Sequence, residues 1–191
     1  MIILVDFDRI PLSILGFDEG LGSESLLHSL KEMEKAYAKL HGSYATLCGG
    51  RMYAAMIDLT GAPYREIDLT SVENFEMMVD NSMWELLLSN DAMGYIQSAA
   101  TLGEDNMSVG GDRHAEEGSS GLVGGHAYAI LRVKETKCGV RLLEMRNPWG
   151  YGGMEWTRDW SDKSPLWTEE LKVQTVFSCF MPFSIHFFDK K

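Results

Sequence analysis

Residues 126–147 read HAYAILRVKETKCGVRLLEMRN, two apolar runs on either side of the polar stretch KETKCG, which ends in Gly139. Short runs rich in Ile, Val, Leu and Tyr, joined by a few residues that include a glycine, form an antiparallel hairpin. In such a hairpin a turn centred between Thr136 and Lys137 sets His126 opposite Asn147. Opposed side chains on one face lie roughly 4.5–5.5 Å apart at Cβ, within reach of an imidazole–amide hydrogen bond. A slip of one residue would send the two side chains to different faces.

That pairing has a chemical use. An amide oxygen that accepts from one ring N–H of a histidine fixes the ring's tautomer and orientation, and the other nitrogen is then set to take a proton from a nucleophile. The residues around the pair suit the task. Pro148 biases Asn147 toward extended backbone, Trp149 is bulky enough to cover a polar pair from water, and Gly124 and Gly125 ahead of His126 allow close backbone approach. The plain alternative is a satisfied polar pair at a sheet edge, which is how most buried polar groups are used.

The rest of the chain reads as mixed helix and strand. Ile2–Val5 is a β-branched run stopped by DFDRIP. From Ser23 to Leu40 apolar residues recur at three- and four-residue steps, with Ser23 as N-cap and Gly42 past the end, which predicts an amphipathic helix. HGSYATLCGG has no clear assignment, and a second helix is expected over about Val72–Leu88, its MWELLL end buried. MGYIQSAA reads as a strand, and residues 102–125, rich in glycine and without apolar periodicity, as a long loop bordering a site. Trp149, Trp156, Trp160 and Trp167 then precede an aromatic tail, VFSCFMPFSIHFF.

With 191 residues, 45% of them hydrophobic, the chain suits one domain with a real core. A net charge of −11 argues against a nucleic-acid partner, which calls for clustered Lys and Arg. The opening MIILVDFDRI has no basic leader and is cut by Asp6 and Asp8, so neither a signal peptide nor a membrane span is expected, and the expected location is cytoplasmic. Cys48, Cys138 and Cys179 are odd in number and far apart, as reduced thiols rather than a disulfide framework would be.

Four segments together, EKAYAKLHGSY (34–44), GLVGGHAYAI (121–130), RNPWG (146–150) and EWTRDWSDKSPLW (155–167), resemble the calpain family of cysteine proteases in order and spacing. The resemblance runs over about residues 2–172 and implies a papain-like active site shared by two subdomains, with Cys on the first and His and Asn on the second. It implies an α+β fold, the larger subdomain of a papain-like cysteine protease, with antiparallel β-sheets and a few helices. Residues 1–12 would be the remnant of the first core subdomain, 13–172 the second, and 173–191 a divergent tail. By similarity His126 is the general base and acid, Asn147 its orienting partner, and Trp149, Gly125 and Pro148 its support.

The departures from the family matter as much. Its nucleophile lies in a Gln-Gly-x-x-Gly-Asp-Cys-Trp motif, and none of Cys48, Cys138 or Cys179 is followed by Trp. The family also implies a calcium ion held between two acidic loops; Glu155 and Asp162 match the first loop, whereas KVQTVFSCFMPF replaces the second. Two carboxylates fall short of the six to eight oxygens calcium takes. Two functions follow as expectations. One is the His/Asn half of a calcium-dependent cysteine endopeptidase acting on protein or peptide substrates, inactive alone and completed by a nucleophile-bearing first subdomain. The other is a non-catalytic calpain-like binding or regulatory module.

Overall fold

A computed structural model describes residues 2–5, 23–47, 50–103, 120–147, 156–174 and 185–188. In chain order its elements are β1 (Ile2–Val5), α1 (Ser23–Leu40), a 3-10 turn at Tyr44–Leu47, α2 (Met52–Thr60), β2 (Tyr64–Ile67), α3 (Val72–Val79), α4 (Ser82–Ala92), β3 (Ile96–Ala100), β4 (Ala127–Glu135), β5 (Arg141–Arg146), α5 (Glu169–Gln174) and β6 (Ile185–Phe188). This is an α+β fold in which the six strands among the described residues pair antiparallel, in the order β2-β1-β3-β4-β5-β6. The chain divides into two compact units, Asp6–Pro63 and the remainder.

The Asp6–Pro63 unit contains α1 and α2. Its helix ends are joined where Tyr37 Oη donates to Asp58 Oδ2 at 3.0 Å and His41 Nε2 meets the same oxygen at 2.9 Å. Partial burial, with the Asp58 carboxylate beside it, raises the Tyr37 hydroxyl above its ordinary pKa. Gly61 closes α2 in the left-handed region, at φ 65°, with its N–H on the Ile57 carbonyl at 2.7 Å. The sequence pattern did not yield α2, because MYAAMIDLT is apolar on too many sides to show a helical stripe.

The second unit carries the sheet. The helix expected over Val72–Leu88 folds as two, because Asn81 turns left-handed at φ 74° between α3 and α4. Local capping builds the break: Ser71 Oγ accepts from Asn74 N–H at 3.2 Å to start α3, and Asp80 Oδ1 accepts from Ser82 N–H at 2.9 Å to start α4. The later turns of α4 are buried as expected, Met83 and Leu87 packing with Ile67, Tyr128, Ile130, Val133 and Met145 in the main core. Leu142 is adjacent to Leu143, which pairs with Val133, so Leu142 points to the opposite face. There it is 0% exposed and packs with Trp160 and Leu171 in a second core. The sheet is therefore covered on both sides where β4 and β5 cross it.

Candidate active site

The hairpin forms where the sequence sets it, but with a different centre. Glu135 pairs with Arg141, so the turn centres on Cys138 and not between Thr136 and Lys137. Gly139 is the cause: at φ 79° it takes the left-handed position that closes the loop, its N–H on the Thr136 carbonyl at 2.9 Å, while Thr136 N–H bonds the Val140 carbonyl at 2.8 Å. Carried straight outward, this register would set Asn147 opposite Ala129, three residues from His126 and on the other face. It is not carried straight. A β-bulge lies between Ile130 and Arg132, and beyond it Ile130 pairs with Met145 and Ala129 with Arg146. Asn147 thus continues opposite Tyr128, two residues from His126 and on the same face.

The pair meets diagonally rather than directly. His126 Nε2 and Asn147 Oδ1 are 2.9 Å apart, with His126 7% and Asn147 5% exposed. A carboxamide oxygen only accepts, so this contact calls for the tautomer with the ring proton on Nε2 and the lone pair on Nδ1. The Tyr128 ring stands edge-on to the imidazole, centroids 4.9 Å apart at 88°, and walls it on the strand side. Burial raises the Tyr128 hydroxyl above its ordinary pKa, which keeps it neutral.

The backbone around the imidazole is tied to the end of β3. Thr101 N–H donates to the His126 carbonyl at 2.9 Å, and His126 N–H donates to Thr101 Oγ1 at 2.9 Å. Thr101 Oγ1 itself donates to the Val123 carbonyl at 2.5 Å, and Val123 N–H donates to Tyr128 Oη at 3.0 Å. Gly125, at φ 62°, makes the positive-φ step that brings the chain into His126, its N–H reaching the Leu102 carbonyl at 3.3 Å. Neither Thr101 nor Tyr128 was singled out from sequence; both act through a strand register that no local pattern displays.

The other residues marked from sequence fall in three places. Pro148, Trp149 and Glu155 lie outside the described residues, as do 104–119 of the long loop and Cys48 and Cys179. Cys138 is exposed in the hairpin turn, its Sγ 3.2 Å from Thr136 Oγ1. At about 3.3 Å per strand residue, the length of β4 puts it roughly 30 Å from His126, too far to serve as its nucleophile. Asp162 is exposed in a tight loop where Ser161 N–H bonds the Arg158 carbonyl at 3.0 Å, and Trp156 Nε1 the Asp159 carbonyl at 2.7 Å. The Ser161 carbonyl accepts from Ser164 N–H and Trp167 Nε1. Those carbonyls are turned to internal bonds, and among the described residues no group of three or more His, Cys, Asp or Glu is placed to hold a metal ion.

Comparison with known proteins gives the family of the chain. Residues 5–179 match the profile of the family described as calpain family cysteine protease. Over 140 residues the chain is 44% identical to the calpain-type cysteine protease DEK1 of Arabidopsis thaliana, covering 73% of this chain and 6% of that protein. It is 39% identical to human calpain-12 over 138 residues, 71% of this chain and 17% of the relative, and 32% identical to a Schistosoma mansoni calpain over 177 residues, 87% and 21% respectively. The chain therefore spans about a fifth or less of the length of these relatives. Among the described residues no helix is long and apolar enough to cross a membrane.

Proposed function

Because the chain belongs to the calpain family of cysteine proteases, we propose that it supplies the histidine and asparagine half of a cysteine-endopeptidase active site. The observation that carries this reading is the buried 2.9 Å contact between His126 Nε2 and Asn147 Oδ1. With its proton held on Nε2, the ring presents Nδ1 to a thiol brought by a first core subdomain. Nδ1 takes the thiol proton, and the thiolate attacks the peptide carbonyl. The imidazolium then returns the proton to the departing amine as the tetrahedral intermediate collapses to the acyl-enzyme. In the second half of the cycle Nδ1 takes a proton from water, the hydroxide attacks the thioester, and the thiol is re-formed. Asn147 stays neutral and holds the ring plane through both halves.

The nucleophile in this proposal comes from a Gln…Cys-Trp segment outside these 191 residues, so the chain alone cleaves nothing. Its substrates would be proteins or peptides. The setting proposed is a reducing, cytoplasmic one, which the wide spacing of Cys48, Cys138 and Cys179 in the sequence suits. No step is routed through calcium. The test is complementation: the chain is mixed with a separately expressed first subdomain, in the presence of calcium, and cleavage of a fluorogenic peptide is followed. Activity is expected, and His126→Ala abolishes it; turnover that survives that substitution removes His126 from the mechanism.

A second reading is favoured by the position of Cys138, at the far end of β4 from His126. A chain with its described thiol so placed suits a non-catalytic module that binds or regulates a complete protease. Inhibition of an intact calpain by the added chain, with no turnover in the complementation mixture, would select it.

A further inference from the structure

We infer that Thr101 is a positioning residue for His126, a role that rests on reading His126 as the base. An antiparallel ladder continued past β3 would pair Thr101 with His126 through two backbone bonds, one in each direction. The first is present, Thr101 N–H to the His126 carbonyl at 2.9 Å. The return bond is made differently: His126 N–H donates to the Thr101 hydroxyl oxygen, also at 2.9 Å. The side chain has taken the place of its own carbonyl.

The exchange lets the ladder end without releasing the histidine. The hydroxyl's proton faces the Val123 carbonyl at 2.5 Å and, at the longer 3.2 Å, the His126 carbonyl, so one oxygen clamps both the residue that carries the imidazole and the loop that leads into it. Val123 is bound in turn to the Tyr128 hydroxyl, whose ring stands against the imidazole, which closes a circuit from Thr101 through Val123 and Tyr128 to His126. Along this circuit the backbone of His126 is fixed while its side chain reaches diagonally to Asn147. Removal of the hydroxyl takes the acceptor from His126 N–H and the donor from the Val123 carbonyl, and the ring is freed to swing away from the amide.

The test reads geometry without needing catalysis. In the 15N-labelled chain, the Nε2–H proton of His126 is identified by its loss in Asn147→Ala, and its exchange with water is measured. Thr101→Val, equal in shape and lacking the hydroxyl, is expected to speed that exchange about tenfold, the effect of one lost hydrogen bond of ordinary strength. Thr101→Ser is expected to hold it near the parent rate. Parent-like protection in Thr101→Val overturns the inference, as does a Thr101→Ser variant that loses protection as fully as Thr101→Val. Should Thr101→Val collapse the amide dispersion of the whole chain, Thr101→Ala against Thr101→Ser decides by the same rates. In the complemented enzyme the same substitution should lower kcat by about ten- to a hundred-fold with KM little changed, as misplacement of a base does. Failure of complementation itself removes the proposed function and leaves the exchange result standing.

Discussion

The two halves of the β4–β5 hairpin are built from the same pair of strands and are held by different means. On the turn side of the bulge, pairing is regular and side chains lock across it. Arg132 Nε lies 3.5 Å from Glu144 Oε2, directly opposite, and Glu135 Oε2 takes Arg141 Nε at 3.4 Å and Trp84 Nε1 at 2.8 Å. Arg141 also lies over the Trp84 ring and bonds Asn81 Oδ1 at 2.6 Å, tying the turn side to the start of α4. On the far side the ladder runs on through Ile130–Met145 and Ala129–Arg146, and where it ends bonds from side chains to backbone take over: Thr101 to His126 and Val123, and Val123 to Tyr128. Ladder and core secure the first half whatever happens at the second. A site placed at the end of a sheet is thus carried by a rigid half but aimed by a small polar circuit.

The comparison breaks most clearly at Asn147. Asn147→Ala should lower activity of the complemented enzyme by about three to four orders of magnitude, the cost of a wrong tautomer in a triad, while far-UV circular dichroism stays that of the parent. A loss of less than tenfold would mean that Asn147 does not orient the base. At the other half the effect should fall on stability instead. Leu142→Ala opens a cavity beside Trp160 and Leu171 and should cost about 2–5 kcal/mol in urea unfolding, with the His126 ring proton still protected in the folded chain. Loss of that protection would show that the halves are not independent.

Tyr128→Phe should have a smaller effect, about 1 kcal/mol, because it takes the acceptor from Val123 N–H and keeps the ring. Its mark is local: faster exchange at Val123 with turn-side amides unchanged. The smallest effect concerns the caps around α3. The N–H and then the hydroxyl of Thr70 hold the Asp68 carboxyl below its ordinary 3.8, and the hydroxyl and N–H of Ser82 do the same for Asp80. A lowered pKa means that the folded state favours the charged form, so this stabilisation is present above 3.8 and lost as pH falls through the lower folded values. Thermal unfolding of Asp68→Asn should therefore differ from the parent at pH 6 and converge on it in acid; a constant difference would assign the effect to hydrogen-bond geometry alone.

How much of this was legible depended on whether the signal was periodic. β1, α1 and the hairpin were, because Ile2–Val5, the apolar steps of Ser23–Leu40 and the two runs around Gly139 carry their own pattern. The break at Asn81 was not, since a left-handed asparagine inside an apolar helical stretch leaves no trace in the spacing. His126 and Asn147 could be paired by counting from the turn, yet the count was displaced at both steps. Gly139 moved the centre toward the C-terminus, and the bulge returned one residue. Thr101 lay outside any such count, because it reaches the site across a strand pairing fixed by the whole sheet.

The bulge at Leu131 amounts to a one-residue reserve of chain length. A deletion between the turn-side ladder and His126 can be taken up by straightening β4, which restores regular pairing and leaves the imidazole and the amide on one face. An insertion has no such outlet, and it must raise a second bulge or turn His126 away from Asn147. Shortening this segment is therefore the tolerated kind of length change and lengthening the damaging one, an asymmetry that a regular hairpin of the same strands would not have.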